Sequence, residues 1–183
     1  REGIGAFLSK GVRYMSSLLE GSEDFAIHSK GLECSAYVTT EAPLMTLSFC
    51  AGEQRGADHK SAWVITAERA GEMDFETFLF FIKFRRWCDM AVLDKLPWID
   101  FPHPESKDRR NMVIANLYKN AFNAMTGTEY KSIEEMISPA ERMYTLTKMF
   151  NIWAGYTRQR DIPPMRMLKH AYPNKSDIEA TYS

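Results

Sequence analysis

Arg55, Gly56, Asp58 and His59 fall together in the stretch AGEQRGADH, between one apolar run and a helix-like one. A glycine there lets backbone approach a ligand, and a histidine beside it can give or take a proton near neutral pH. Asp94 stands just ahead of the proline-rich DKLPWIDFPHPE. Placed at the end of an apolar helical run, its carboxylate would face the wrong end of the helix dipole and need compensation. The other candidates read as structural. His28 and His170 stand alone, His103 lies between two prolines, and Cys34 and Cys50 sit in small or apolar company. Cys88 neighbours Arg85 and Arg86, which would lower a thiol pKa. RRWCD and RQRD are short charge clusters of the kind that solvate helix ends or form salt bridges.

The elements that must carry these groups read as helices. Residues 2–20 place Ile4, Phe7, Leu8, Val12, Met15, Leu18 and Leu19 at helical spacing, with Gly21 as the stop. An extended or irregular connector follows. Pro43 then opens a helix that should fail near Gly52. Asp58 has the chemistry to cap a second helix and Asp74 a longer one through FETFLFFIKFRRWCDMAVL, apolar almost all round and so expected to be buried. Residues 108–125 read as another helix, stopped at Gly127. SIEE and SPAE both read as capping boxes, with Pro139 at the first position of a helix from Ser138 to about Phe150. Strand alternation and long repeats are lacking, so the class is mainly α.

Composition bounds the function. The 183 residues are 45% hydrophobic and 26% charged, as in a globular protein with one or two units. A net charge of −1 supplies no field for nucleic acid or an anionic membrane. The longest apolar run is too short to span a bilayer. Three widely spaced cysteines form neither a disulfide framework nor a self-contained metal array, which fits a reducing cytoplasm. The chain opens on Arg1 in what reads as a helix in progress, as a fragment would.

Several blocks, in order and with their spacing kept, resemble the C-terminal half of the tungsten-containing aldehyde:ferredoxin oxidoreductase family. KGLECSAY is similar to that family's KGLE-x-PAYDPR, AGEQRGADH to ATSNRGACH, and AVLDKLPWIDF to AVLDSLGLCKF. The segment NAMTGTEYKSIEEMISPAERMYTLTKMFNIWAGYTRQRDIPPMRML is similar to its N-x-x-TG … FN-x-R-x-GF-x-R-x-DD-x-x-P-x-R stretch. The resemblance implies the C-terminal helical domains of that family, with residues 1–30 ending its middle helical domain and 31–183 forming an incomplete C-terminal one. It implies an anaerobic enzyme that oxidises an aldehyde to a carboxylic acid on a tungsten, or molybdenum, bis-pterin. His59 would stand beside the metal and Asp94 on a pterin, with Arg55 and Trp98 lining the cofactor. The remainder of the oxidoreductase would supply the pterin-binding domain and the cluster cysteines, and ferredoxin or an electron-transfer subunit would take the electrons. The segment alone would be inactive.

Two departures bear on that expectation. Ile99 stands where the family has a [4Fe–4S] cysteine, and isoleucine cannot ligate iron, so Asp100 or Cys88 would have to substitute. YDPR has become Tyr37-Val38-Thr39-Thr40, and the cysteine before the histidine has become Asp58. The alternatives these changes suggest are the tungsten subunit of a benzoyl-CoA-reductase-type complex and a non-catalytic structural module that has lost its cofactor.

Overall fold

Helices dominate the computed structural model, which describes residues 2–36, 42–52, 54–60, 62–69, 71, 73–95 and 113–169. The chain forms two compact units, one of Arg1–Ser61 with Asn151–Ser183, the other of Ala62–Phe150. Among the described residues no helix is long and apolar enough to cross a membrane.

The first unit opens with two short helices, α1 (Ile4–Leu8) and α2 (Val12–Ser16), where the apolar spacing predicts one. Gly11, at φ 81°, breaks the run, and Glu33 then takes the freed Val12 N–H at 3.0 Å. Ile4, Leu8, Leu18 and Leu19 of the expected apolar face are exposed. Gly21 does stop the run, in a left-handed conformation ahead of a 3₁₀ turn. The connector, expected to be extended or irregular, holds a minimal antiparallel hairpin, β1 (His28–Ser29) and β2 (Leu32–Glu33). Its two central residues, Lys30 and Gly31, both have positive φ (54° and 95°), as a type I′ turn requires. Pro43 opens α3 (Pro43–Leu47), which widens into a π turn at Ser48–Gly52 and ends at the predicted glycine.

The second unit begins with α4 (Ile65–Arg69). This helix starts well past Asp58, whose carboxylate instead accepts the Lys60 N–H at 2.8 Å and closes a local turn. Asp74 caps α5 (Phe75–Met90) through the Thr77 N–H at 2.6 Å, as its type and position predict. Phe78, Phe80, Phe81, Phe84 and Trp87 of α5 are buried, while Phe75 and Leu79 are open, so the helix is central but not enclosed all round. Tyr118 and Phe122 of α6 (Val113–Thr126) meet Phe84 and Trp87 edge-on, at centroid distances of 5.9 and 5.3 Å. Such aromatic pairs add about 0.5–1.5 kcal/mol each beyond their burial. Gly127, at φ 73°, ends α6 as expected.

Ser132 caps α7 (Ile133–Trp153) through the Glu135 N–H at 3.1 Å, so SIEE works as a helix start. SPAE does not, because Pro139 lies inside α7. Its ring removes a backbone bond and would ordinarily break a helix. Ile133, Met136, Ile137 and Ala140, all buried on one stripe, carry the helix through it. Gly155, at φ 84°, closes α7, with Tyr156 N–H on the Asn151 carbonyl at 2.9 Å and Gly155 N–H on the Ile152 carbonyl at 3.0 Å. A 3₁₀ turn at Arg158–Asp161 and α8 (Met165–Lys169) follow.

The end of α5 uses the same closing pattern as α7, with Leu93 N–H on the Cys88 carbonyl at 2.9 Å, but places Val92 where glycine belongs, at φ 56°. A left-handed conformation costs an L-residue about 1–2 kcal/mol. Val92 is 90% exposed and has no packing to lose. Val92→Gly is therefore expected to stabilise the protein by about 1 kcal/mol, read as a rise in melting temperature. An unchanged or lower melting temperature would show that Val92 carries no net strain.

Candidate functional site

The loop carrying His59 is built against the β1–β2 hairpin, within the first unit. Gly56, at φ 136°, passes so close that a Cβ added there would lie 2.7 Å from the Leu32 Cβ and 2.9 Å from the Ser29 carbonyl oxygen. The glycine therefore admits the hairpin, which fills the space a side chain would need there. Gly56→Ala should cost about 2 kcal/mol, measured by denaturant unfolding; a loss under half of that would show that the loop and hairpin do not press together. From the other side, Asn151 at the end of α7 donates to the Gln54 carbonyl at 2.6 Å.

Arg55 and Asp58 form an ion pair, and Asp58 also holds the turn at Lys60. Arg55 thus braces the loop, its side chain largely exposed. His59 follows directly. Its Nδ1 is 2.6 Å from the Ser35 hydroxyl, brought up by the segment leaving β2, where Cys34 N–H donates to the Ile27 carbonyl at 3.3 Å. Burial, aided by Lys60, holds the His59 pKa below 6.5, so the ring is neutral at pH 7. Such a ring keeps one donor and one acceptor nitrogen.

The hairpin turn also carries a charge pair that RQRD does not announce. Lys30, at the hairpin turn, is 2% exposed, reaches Asp161 at 2.9 Å and donates to the Cys50 carbonyl. Arg160 of the same cluster stacks on the Tyr156 ring, 4.3 Å from its centroid. RQRD is thus an internal tie rather than an anion site. His28 is half-buried in β1, where burial and then Arg13 lower its pKa.

Asp94 belongs to the second unit. Because α5 ends at Met90, Asp94 lies beyond the last turn, and the expected conflict with the helix dipole does not arise. The acidic residue in that turn is Asp89, which Lys95 meets at 2.7 Å. Asp94 is exposed, and its backbone carbonyl accepts from the Tyr118 hydroxyl at 3.4 Å. Arg85, 1% exposed, donates to the neighbouring Lys95 carbonyl at 3.2 Å, so this arginine of RRWCD is an internal strut rather than a solvated charge. Trp98, Ile99, Asp100, His103 and His170 lie outside the described residues, as does Tyr37-Val38-Thr39-Thr40.

The three thiols behave as small hydrophobes. Burial pushes Cys34 up to about 12, Cys50 to about 11 and Cys88 to about 11, outweighing the lowering effect of Arg85 on Cys88. None is a thiolate at pH 7, the form that attacks carbon or binds iron.

These features meet in one comparison. A family model described as aldehyde ferredoxin oxidoreductase, domains 2 & 3, matches residues 1–182. The chain belongs to the aldehyde ferredoxin oxidoreductase family. A search of curated proteins finds no match. Membership agrees with the mainly α fold and makes the setting of this chain an oxidoreductase with at least one further domain. Reading the aldehyde ferredoxin oxidoreductase pattern finds His59 but not Ser35, Lys30 or Asp161. Ser35 has a signal in the sequence, since it stands where the resembling motif has proline; Lys30 and Asp161 have none.

Proposed function

We propose that this chain is the C-terminal helical part of a tungsten- or molybdenum-pterin enzyme that oxidises an aldehyde to a carboxylic acid and passes the electrons to ferredoxin or an electron-transfer subunit. Residues 1–30 end the middle helical domain and 31–183 form the C-terminal one, in a cytoplasmic protein. The observation that carries this reading is the family match over residues 1–182, with His59 in the block that resembles the family's metal-side histidine. The family match favours neither the thioester-reducing nor the non-catalytic alternative that the departures at Ile99 and Asp58 suggest.

The residues present fit a pterin better than a cluster. Among the described residues no group of His, Cys, Asp or Glu is arranged to hold a metal ion, so the ligands of the metal would be the sulfurs of the pterins themselves. An exposed Asp94 carboxylate has acceptor oxygens for pterin N–H groups. A [4Fe–4S] cluster takes several thiolates, whereas Cys88 is buried inside α5 and belongs to no group of ligating side chains among the described residues. When bound, the metal–pterin group supplies the oxidation, in which an aldehyde and water give the acid, two electrons and two protons. The chain's own part is local. His59 offers a neutral imidazole for hydrogen bonding or proton transfer, Arg55 and Asp58 hold its loop, and Asp94 anchors the pterin.

Anaerobic purification of the complete protein tests this reading, through elemental analysis for tungsten, molybdenum and iron and aldehyde-dependent reduction of a viologen dye. Tungsten or molybdenum with dye reduction is the expected result; the absence of both metals together with no dye reduction would overturn it. Asp94→Ala in that protein is expected to lose most bound pterin, assayed by fluorescence of the released and oxidised cofactor. Full retention would remove Asp94 from cofactor binding.

A further inference from the structure

We propose that Asn151, near the end of α7, is a positioning residue for His59, holding the entrance of the loop that carries it. Residues 54–60 lie in neither helix nor strand, so no ladder of backbone bonds fixes their path. Their ties come from elsewhere. The hairpin presses on Gly56, the Asp58 carboxylate holds the Lys60 N–H, and the Asn151 Nδ2 donates to the Gln54 carbonyl across 97 positions of sequence. A carbonyl oxygen only accepts, so the donor in this last bond is fixed by chemistry. Its anchor is firm as well, because the Asn151 backbone carbonyl takes the Tyr156 N–H at 2.9 Å in the closing turn at Gly155.

Gln54 is 3% exposed, so water does not readily replace the amide as the partner of its carbonyl. Its own side chain is committed too, with Nε2 on the Ala51 carbonyl at 3.3 Å. Without the Asn151 donor, the peptide leading into Arg55 would turn to find another partner, and His59, farther along the same loop, would move with it. Misplacing a reacting group by about 1 Å can cost about 100-fold in rate. The inference deepens the oxidoreductase reading and rests on it, since Asn151 acts on turnover only through His59.

A double-mutant cycle in the complete protein tests this. Asn151→Leu keeps the approximate shape of the side chain and removes the donor. It is expected to lower kcat for an aldehyde by about 10–100-fold, with KM and metal content nearly unchanged. In a His59→Ala background the same substitution should cost nothing further, because the group it positions is gone. Losses that multiply in the double variant, or full kcat in Asn151→Leu, would overturn the positioning role. Hydrogen–deuterium exchange gives a readout independent of turnover. The amides of residues 55–60 should exchange faster in Asn151→Leu, while those of α5 stay as in the native protein; unchanged exchange in the loop would show that Asn151 does not hold it and would overturn the proposal. Should Asn151→Leu not fold, Asn151→Asp, similar in shape and lacking the donor at neutral pH, takes its place in both measurements. If the native protein oxidises no aldehyde at all, the oxidoreductase reading fails while the exchange result still decides whether Asn151 holds the loop.

Discussion

His59→Ala in the complete enzyme is expected to lower aldehyde turnover by about 100-fold or more, with the metal content nearly unchanged. Groups that hydrogen-bond or transfer protons in a transition state are worth about 10²–10⁴-fold, so the loss should appear in kcat rather than in cofactor retention. Three features of the site set this expectation. The ring is neutral at pH 7, it is held at Nδ1 by Ser35, and its loop is braced by the Arg55–Asp58 pair. Because the bracing lies in the backbone and in neighbouring side chains, truncating the imidazole should leave the loop standing. Steady-state kinetics together with elemental analysis checks this. Turnover within threefold of the native enzyme would take His59 out of the mechanism, and loss of metal in parallel with activity would recast it as a structural support of the cofactor.

Asp161→Ala is expected to destabilise the protein by about 3–5 kcal/mol, the cost of leaving one member of a buried pair without its counter-charge. Lys30 is 2% exposed and Asp161 15%, so water cannot take over the solvation that the carboxylate provides. The pair also joins the hairpin turn to the Arg158–Asp161 turn, so its loss should loosen the hairpin against which Gly56 packs. The double variant Lys30→Met with Asp161→Leu should recover most of the stability, since replacing both charges by apolar groups removes the desolvation cost along with the attraction. Denaturant unfolding of the three proteins checks the cycle. A loss below about 1 kcal/mol for Asp161→Ala would place the pair among surface ion pairs, which contribute little.

Much of the fold follows from signals only a few residues long. Asp74, Ser132, Pro43, Gly21 and Gly127 each start or stop an element where their chemistry predicts, because a cap or stop bonds within three or four residues. Where local signals competed, packing decided. Ser138-Pro139 reads as a helix start, yet the buried stripe from Ile133 to Ala140 carries α7 through it. The apolar face of residues 2–20 reads as one helix, yet Gly11 and the long-range partner Glu33 divide it.

The same division holds for the candidate site. By itself the sequence determined a mainly α chain of the aldehyde ferredoxin oxidoreductase family and pointed to His59, through matched blocks whose spacing survives in the linear order. Only the tertiary structure decided what surrounds that histidine: Ser35 on its ring nitrogen, Gly56 giving room to the hairpin, and Lys30 buried against Asp161. These contacts join groups far apart along the chain, and their worth comes from burial and closure rather than from local backbone preference. No pattern of residue types within a short window could encode them.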